Sequence, residues 1–265
     1  MNERVLVLRD AVVKITQMLS GKGINVTQRG VNAYVKCDAK GRPTTVNLPY
    51  LPDNATEELC LAIQGFLDHE VAHIMFSDFS LIETATKMGC KSMLNMLEDA
   101  RIEKCMAQKF TGSGHNLAVT GKFFLDKYTV PMVAEAAKAG DANKVVAILM
   151  VPLIRAMAGQ FVFQEFMRDK MKIVQPVFDK IADLQSKIES AESTQDCLEL
   201  AQEIEKRLRS DEKSKEPPPP PEKDDEEDEG SGDGQPSPDS EESDDLPPPG
   251  DKNPDEPKES KKVIS

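Results

Sequence analysis

Two histidines four residues apart, with a glutamate beside the first, stand in "GFLDHEVAHIMFSDF": His69, Glu70 and His73. On a helix, positions i and i+4 project from one face, so both imidazoles can aim a ring nitrogen at a single ion while Glu70 lies beside it. This is the HExxH pattern of zinc hydrolases, in which two imidazoles and a third protein ligand hold zinc and the glutamate accepts a proton from the attacking water. Imidazole is a neutral ligand at pH 7, and a carboxylate beside the metal is a competent base. The longer form with a third histidine is missing, because "HEVAHIMFSDF" contains none. The third ligand has to come from elsewhere in the chain.

"NMLEDARIE", residues 95–103, offers it in Glu98 and Asp99, separated from His73 by 24 and 25 residues. At about 100° per residue, Asn95, Asp99 and Glu103 share one helical stripe beside Met96, and Glu98 points roughly 100° away between Leu94 and Ile102. The wheel favours Asp99 as the ligand, with Asn95 and Glu103 available to orient it or a histidine. Glu98 competes, because glutamate is the commoner third ligand in sites built from helices. His115 in "GSGHN" reads as an exposed loop histidine. Met88, Met93, Met96 and Met106 recur at helical spacing as core filler.

These residues need elements to position them. Residues 3–19 place Val5, Leu8, Val12, Ile15 and Leu19 at helical spacing, and "SGKG" ends that helix. β-favouring runs at 34–37 and 44–48, separated by "DAKGRP", predict a β-hairpin. A helix of about twenty residues follows "LPDNATEE", capped by Asp53 or Asn54, with Leu59, Ile63, Phe66, Val71 and Ile74 as its apolar contacts. A second helix is predicted over 82–109, ended by "TGSGHN". Beyond it the pattern is helical to Arg209: pieces at 117–127 and from Pro131, a run that Pro152 breaks or kinks, then an antiparallel pair whose last helix is capped by Thr194.

Charge separates the body from the tail. Residues 211–265 hold 20 Asp and Glu, 7 Lys and Arg, and 12 of the 18 prolines. The whole chain has 46 acidic and 33 basic residues, so 26 of each sign remain in 1–210. The body is therefore neutral and the tail carries the net charge of -13. Too polar to offset the entropy of ordering, the tail is expected to be disordered. No basic run interleaved with aromatics is present, which argues against direct nucleic-acid binding. The absence of an apolar run of about 18 residues and of a leader-like segment predicts a cytoplasmic chain with no membrane contact. Five widely spaced cysteines without a CxxC read as free thiols.

The two quoted motifs, the helical region and the Pro/Asp/Glu-rich tail together resemble cobaltochelatase CobT-like proteins, including phage-encoded ones labelled as peptidases. They are also similar to metallopeptidase-like domains paired with a von Willebrand factor A (VWA) domain. The fold expected from the patterning is mostly α (α+β): a zincin-like helical domain over 1–210 with a small N-terminal β-hairpin and a helical extension over about 131–210, then the tail over 211–265. The resemblance implies a site of His69, His73 and Glu70 with an acid from Asp99 or Glu98; the HExxH reading itself gives Zn2+ as the metal, Glu70 as base and a peptide or protein as substrate. In that group a VWA domain commonly follows the acidic linker. None is read before "ESKKVIS", which leaves two expectations, a VWA-domain or AAA+ partner encoded separately or the tail itself as the terminus, and a non-catalytic adaptor that recruits such a partner is the alternative function.

Overall fold

The computed structural model of the chain describes residues 24–30, 34–38 and 40–213, together with Val5, Arg9, Val13, Lys14 and Thr16. Those five isolated positions are helical, as the apolar spacing of 3–19 predicts; Leu8, Val12, Ile15 and Leu19 lie outside the described residues. The tail from residue 214 onward does as well.

The predicted hairpin is there as β2 (Tyr34–Cys37) and β3 (Pro43–Leu48), paired antiparallel with Val35 opposite Val46. Asp38 shapes its turn by accepting from the Arg42 guanidinium and from the amides of Lys40 and Arg42. The sheet is larger than a hairpin, however. β1 (Asn25–Gln28) lies parallel to β3 on its other side, giving the order β1-β3-β2. Asn47 on the central strand ties in β1 by accepting from the Thr27 hydroxyl at 2.8 Å and donating to the Arg29 carbonyl at 2.9 Å.

Helix α1 (Glu57–Phe76) packs under this sheet. Its cap is Thr56, whose hydroxyl accepts from the Leu59 amide, and not Asp53 or Asn54. Asp53 is occupied by an ion pair with Arg9 at 2.8 Å. The single helix predicted over 82–109 is two, α2 (Leu81–Lys87) and α3 (Lys91–Lys109), divided by a left-handed turn at Gly89. "TGSGHN" is not a terminator: α4 (Thr111–Phe124) begins with it, and His115 is exposed on that helix. Crossing close over α1, α4 buries Ser113 and Thr120, and the Thr120 hydroxyl donates to the Ala62 carbonyl at 3.0 Å. This packing outweighs the turn-like composition of the segment.

A π-helical turn (Leu125–Thr129) leads into α5 (Val130–Lys138), then α6 (Ala142–Met157), α7 (Phe161–Met167), α8 (Met171–Ile181), α9 (Gln185–Ser190) and α10 (Thr194–Lys213). Pro152 does not break α6, because the buried Leu149, Leu153 and Ile154 hold the helix together around it. At the start of α10 the Ser193 hydroxyl accepts from the Asp196 amide, while Thr194 turns inward to donate to Glu98 at 2.9 Å. Met93 and Met106 are core residues and Met96 is partly buried, whereas Met88 is 53 % exposed. All five cysteines are free thiols, with Cys60, Cys90 and Cys197 buried.

Helix α3 belongs to both apolar cores. Its Met93, Leu94, Leu97 and Ala100 join the core of the later helices, and its Ile102 and Met106 join the core under the sheet. A helix flanked by two cores has little solvated face, so Asp99 and Glu103 have to be buried among partners.

Candidate metal centre

His69 and His73 leave α1 side by side, their ring centroids 4.8 Å apart and their planes at 86°. Both Nε2 atoms face the same oxygen of α3, Asp99 Oδ1, at 3.8 Å from His69 and 3.3 Å from His73. One donor atom from each of the three residues lies within 4.8 Å of the others. Each Nδ1 is engaged elsewhere: that of His69 with Glu103 Oε1 at 2.8 Å, that of His73 with the Ser77 hydroxyl at 3.0 Å.

These bonds decide which nitrogen is available. Glu103 is held down to about 2: burial pushes its carboxyl up, but the Arg155 guanidinium and His69 outweigh it. An ionised carboxylate only accepts, so the bond to Glu103 places a proton on His69 Nδ1 and leaves Nε2 turned toward Asp99. For Asp99 burial likewise acts upward, and His69, His73 and Arg155 overcome it, leaving the group ionised. His73 is pushed down by burial but raised on balance by the hydrogen bond with Asp99, with Glu70 acting in the same direction. Glu70, only 2 % exposed, thus acts electrostatically on the pair although it follows His69 directly in the chain.

Arg155, from α6, spans the two carboxylates of α3: its Nη2 is 3.2 Å from Asp99 Oδ2, and its Nη1 pairs with Glu103 Oε2. Gln160 donates to the same Glu103 oxygen at 2.9 Å. Glu70, Asp99 and Glu103 set three carboxyl groups against the one guanidinium of Arg155, an excess of acidic groups that a divalent cation would offset. Two imidazole nitrogens and one carboxylate oxygen, each steadied by an outer partner, suit zinc or a neighbouring transition metal.

The structure brings His69, His73 and Asp99 together, with Glu103 bonded to His69. Glu98 lies elsewhere. It pairs with Arg101 (Nη2 to Oε1 2.6 Å, Nε to Oε2 2.9 Å) and accepts from Thr194, on the side of α3 that meets α10. Its neighbour three residues on supplies a buried guanidinium that also donates to the Phe76 and Glu192 carbonyls, so the carboxylate is turned away from the histidines. Asn95 takes no part in the cluster among the described residues, and His115 is on the exposed face of α4. Sequence reasoning missed Ser77, Arg155 and Gln160. Ser77 is four residues beyond His73 and was within reach of helical spacing; the other two come from more than 50 residues along the chain without a local signal.

Sheet and helices define a mostly helical protein in which two helices bring together three side chains that could hold a metal ion. Over residues 2–263 the chain matches the family described as cobalamin biosynthesis protein CobT. It belongs to that family, which ties it to cobalamin biosynthesis. No curated protein and no solved structure matches it. Among the described residues no helix is long and apolar enough to cross a membrane.

Proposed function

We propose that this CobT-family chain is a zinc-dependent hydrolase of peptide bonds, with His69, His73 and Asp99 as metal ligands and Glu70 as general base. The observation that carries the reading is the convergence of both Nε2 atoms on one Asp99 oxygen. Zinc held there would supply a Lewis acid for a carbonyl oxygen and make water a stronger acid. Glu103 and Ser77 fix the two imidazole rings so that each offers Nε2. Glu70 is a buried carboxylate beside the histidines, where it can take a proton from water and return it to the leaving amine. Residues 1–210 are read as the zincin-like domain, with 131–210 as its helical extension and 211–265 as an acidic tail, acting in the cytoplasm on a peptide or protein.

The test is hydrolysis of a peptide library by the zinc-loaded chain. Wild type is expected to cleave, and Glu70→Gln to retain zinc while losing at least about 100-fold in turnover, the usual scale for a general base. Cleavage by Glu70→Gln at the wild-type rate would remove the assigned base.

The family match favours a second reading. As a CobT protein the chain would serve cobalamin biosynthesis as a non-catalytic adaptor that recruits a VWA-domain or AAA+ partner, with the metal holding the scaffold. In that case Glu70→Gln would leave partner binding unchanged and wild type would cleave no peptide.

A further inference from the structure

The helical extension reaches into the metal centre through one side chain. Asp99 and Glu103 sit four residues apart on α3, a spacing at which like charges repel, with Asp99 buried and Glu103 partly buried. The guanidinium of Arg155 is planar and offers a separate N–H arm to each carboxylate, which a single ammonium group does not. It is 7 % exposed and lies 5.3 Å over the Phe163 ring, so its own position is set by α7. After α6 ends, Gly159 takes φ +89°, a left-handed conformation that glycine adopts without strain, and the chain turns back so that Gln160 reaches Glu103.

We propose that Arg155 is the positioning residue of this centre, engaging Asp99 Oδ2 so that only Oδ1 faces the histidines and holding Glu103 against His69 Nδ1. The inference rests on the metal reading above. It makes the extension a working part of the site, because α6 and α7 determine how the α3 carboxylates are presented to α1. Arg155 could otherwise act only as a charge, and the two roles predict opposite signs. A positive charge this close repels a metal ion, so removing it strengthens metal binding if charge is all that matters. If positioning matters, removing it weakens binding, by about 10–100-fold for an outer partner.

The experiment uses the full chain and its Arg155→Met, Arg155→Lys and Arg207→Met variants. Zinc affinity is measured by competition with a chromophoric chelator, and the visible spectrum of each Co2+-loaded protein is recorded. Arg207, which pairs with Asp183 and Glu203 on the far side of the extension, controls for general loss of an ion pair. Expected are zinc binding about 10–100-fold weaker in Arg155→Lys and Arg155→Met, altered Co2+ bands in both, and wild-type values in Arg207→Met. Should Arg155→Met fail to fold, Arg155→Lys decides alone, since it keeps the charge and loses the two-armed geometry. Wild-type affinity and spectrum in Arg155→Lys, or tighter binding in Arg155→Met, would overturn the positioning role and leave the metal reading standing. Absence of zinc binding in wild type would overturn the metal reading and this inference with it.

Discussion

Gly65 is a point of close approach between α1 and α4, and a methyl group there has a calculable effect. A Cβ at this position would lie 2.0 Å from the Thr120 hydroxyl oxygen and 2.6 Å from the Asn116 carbonyl oxygen. The hydroxyl can rotate away, but it then gives up its hydrogen bond to the Ala62 carbonyl inside a buried interface, at about 1–3 kcal/mol. The carbonyl belongs to the backbone of α4, so the helices have to separate, a strain of about 1–3 kcal/mol. Against this, alanine is favoured over glycine within a helix by about 1 kcal/mol. The balance for Gly65→Ala is a loss of roughly 1–5 kcal/mol, measured as a lower urea midpoint at unchanged slope. Because α1 carries the histidines, its displacement away from α4 should also disturb their approach to Asp99 and weaken metal binding. A Gly65→Ala variant as stable as wild type, or more so, would refute the close helix contact.

Other consequences can be checked separately. Asp99→Asn should abolish tight zinc binding, whereas Glu98→Gln should destabilise the fold by about 3–5 kcal/mol by leaving buried Arg101 without its carboxylate, yet leave zinc stoichiometry unchanged in the folded fraction. In metal-free protein, Glu103 is a carboxyl whose folded pKa of about 2 is below its ordinary 4.5, so its contribution is present above pH 4.5 and lost as pH falls toward 2. That contribution is roughly 3 kcal/mol, and Glu103→Gln should show a correspondingly shallower loss over this interval in urea titrations at several pH values. Zinc in 100-fold excess over its dissociation constant should raise stability by about 2.7 kcal/mol, and a chelator should return the melting temperature to the metal-free value.

Where the chain's signals are local, the sequence already contains the structure. The i, i+4 pair in "HEVAH" and the 95–99–103 stripe follow from helical periodicity, and both survive folding because α1 and α3 are long and regular. Asp99 was distinguishable from Glu98 by the wheel, while the reason for Glu98's direction, the Arg101 pair sealed by Thr194, depends on contact with α10 almost 100 residues away. Parallel β1 was not visible, because "NVTQ" is short and polar and pairs with a strand about twenty residues on. "TGSGHN" has the composition of a turn and becomes helix through burial of Ser113 and Thr120. Arg155 is an ordinary residue of an apolar helix until α6 packs against α3.

The proposed function rests on one divalent metal held by His69, His73 and Asp99. Elemental analysis of the purified full chain after zinc reconstitution, beside His73→Ala and Glu70→Gln, tests it most directly. About one zinc per chain is expected in wild type and in Glu70→Gln, and little in His73→Ala, since two remaining donors do not make a tight zinc site. A wild-type chain without zinc, or a His73→Ala chain loaded as fully as wild type, would contradict it.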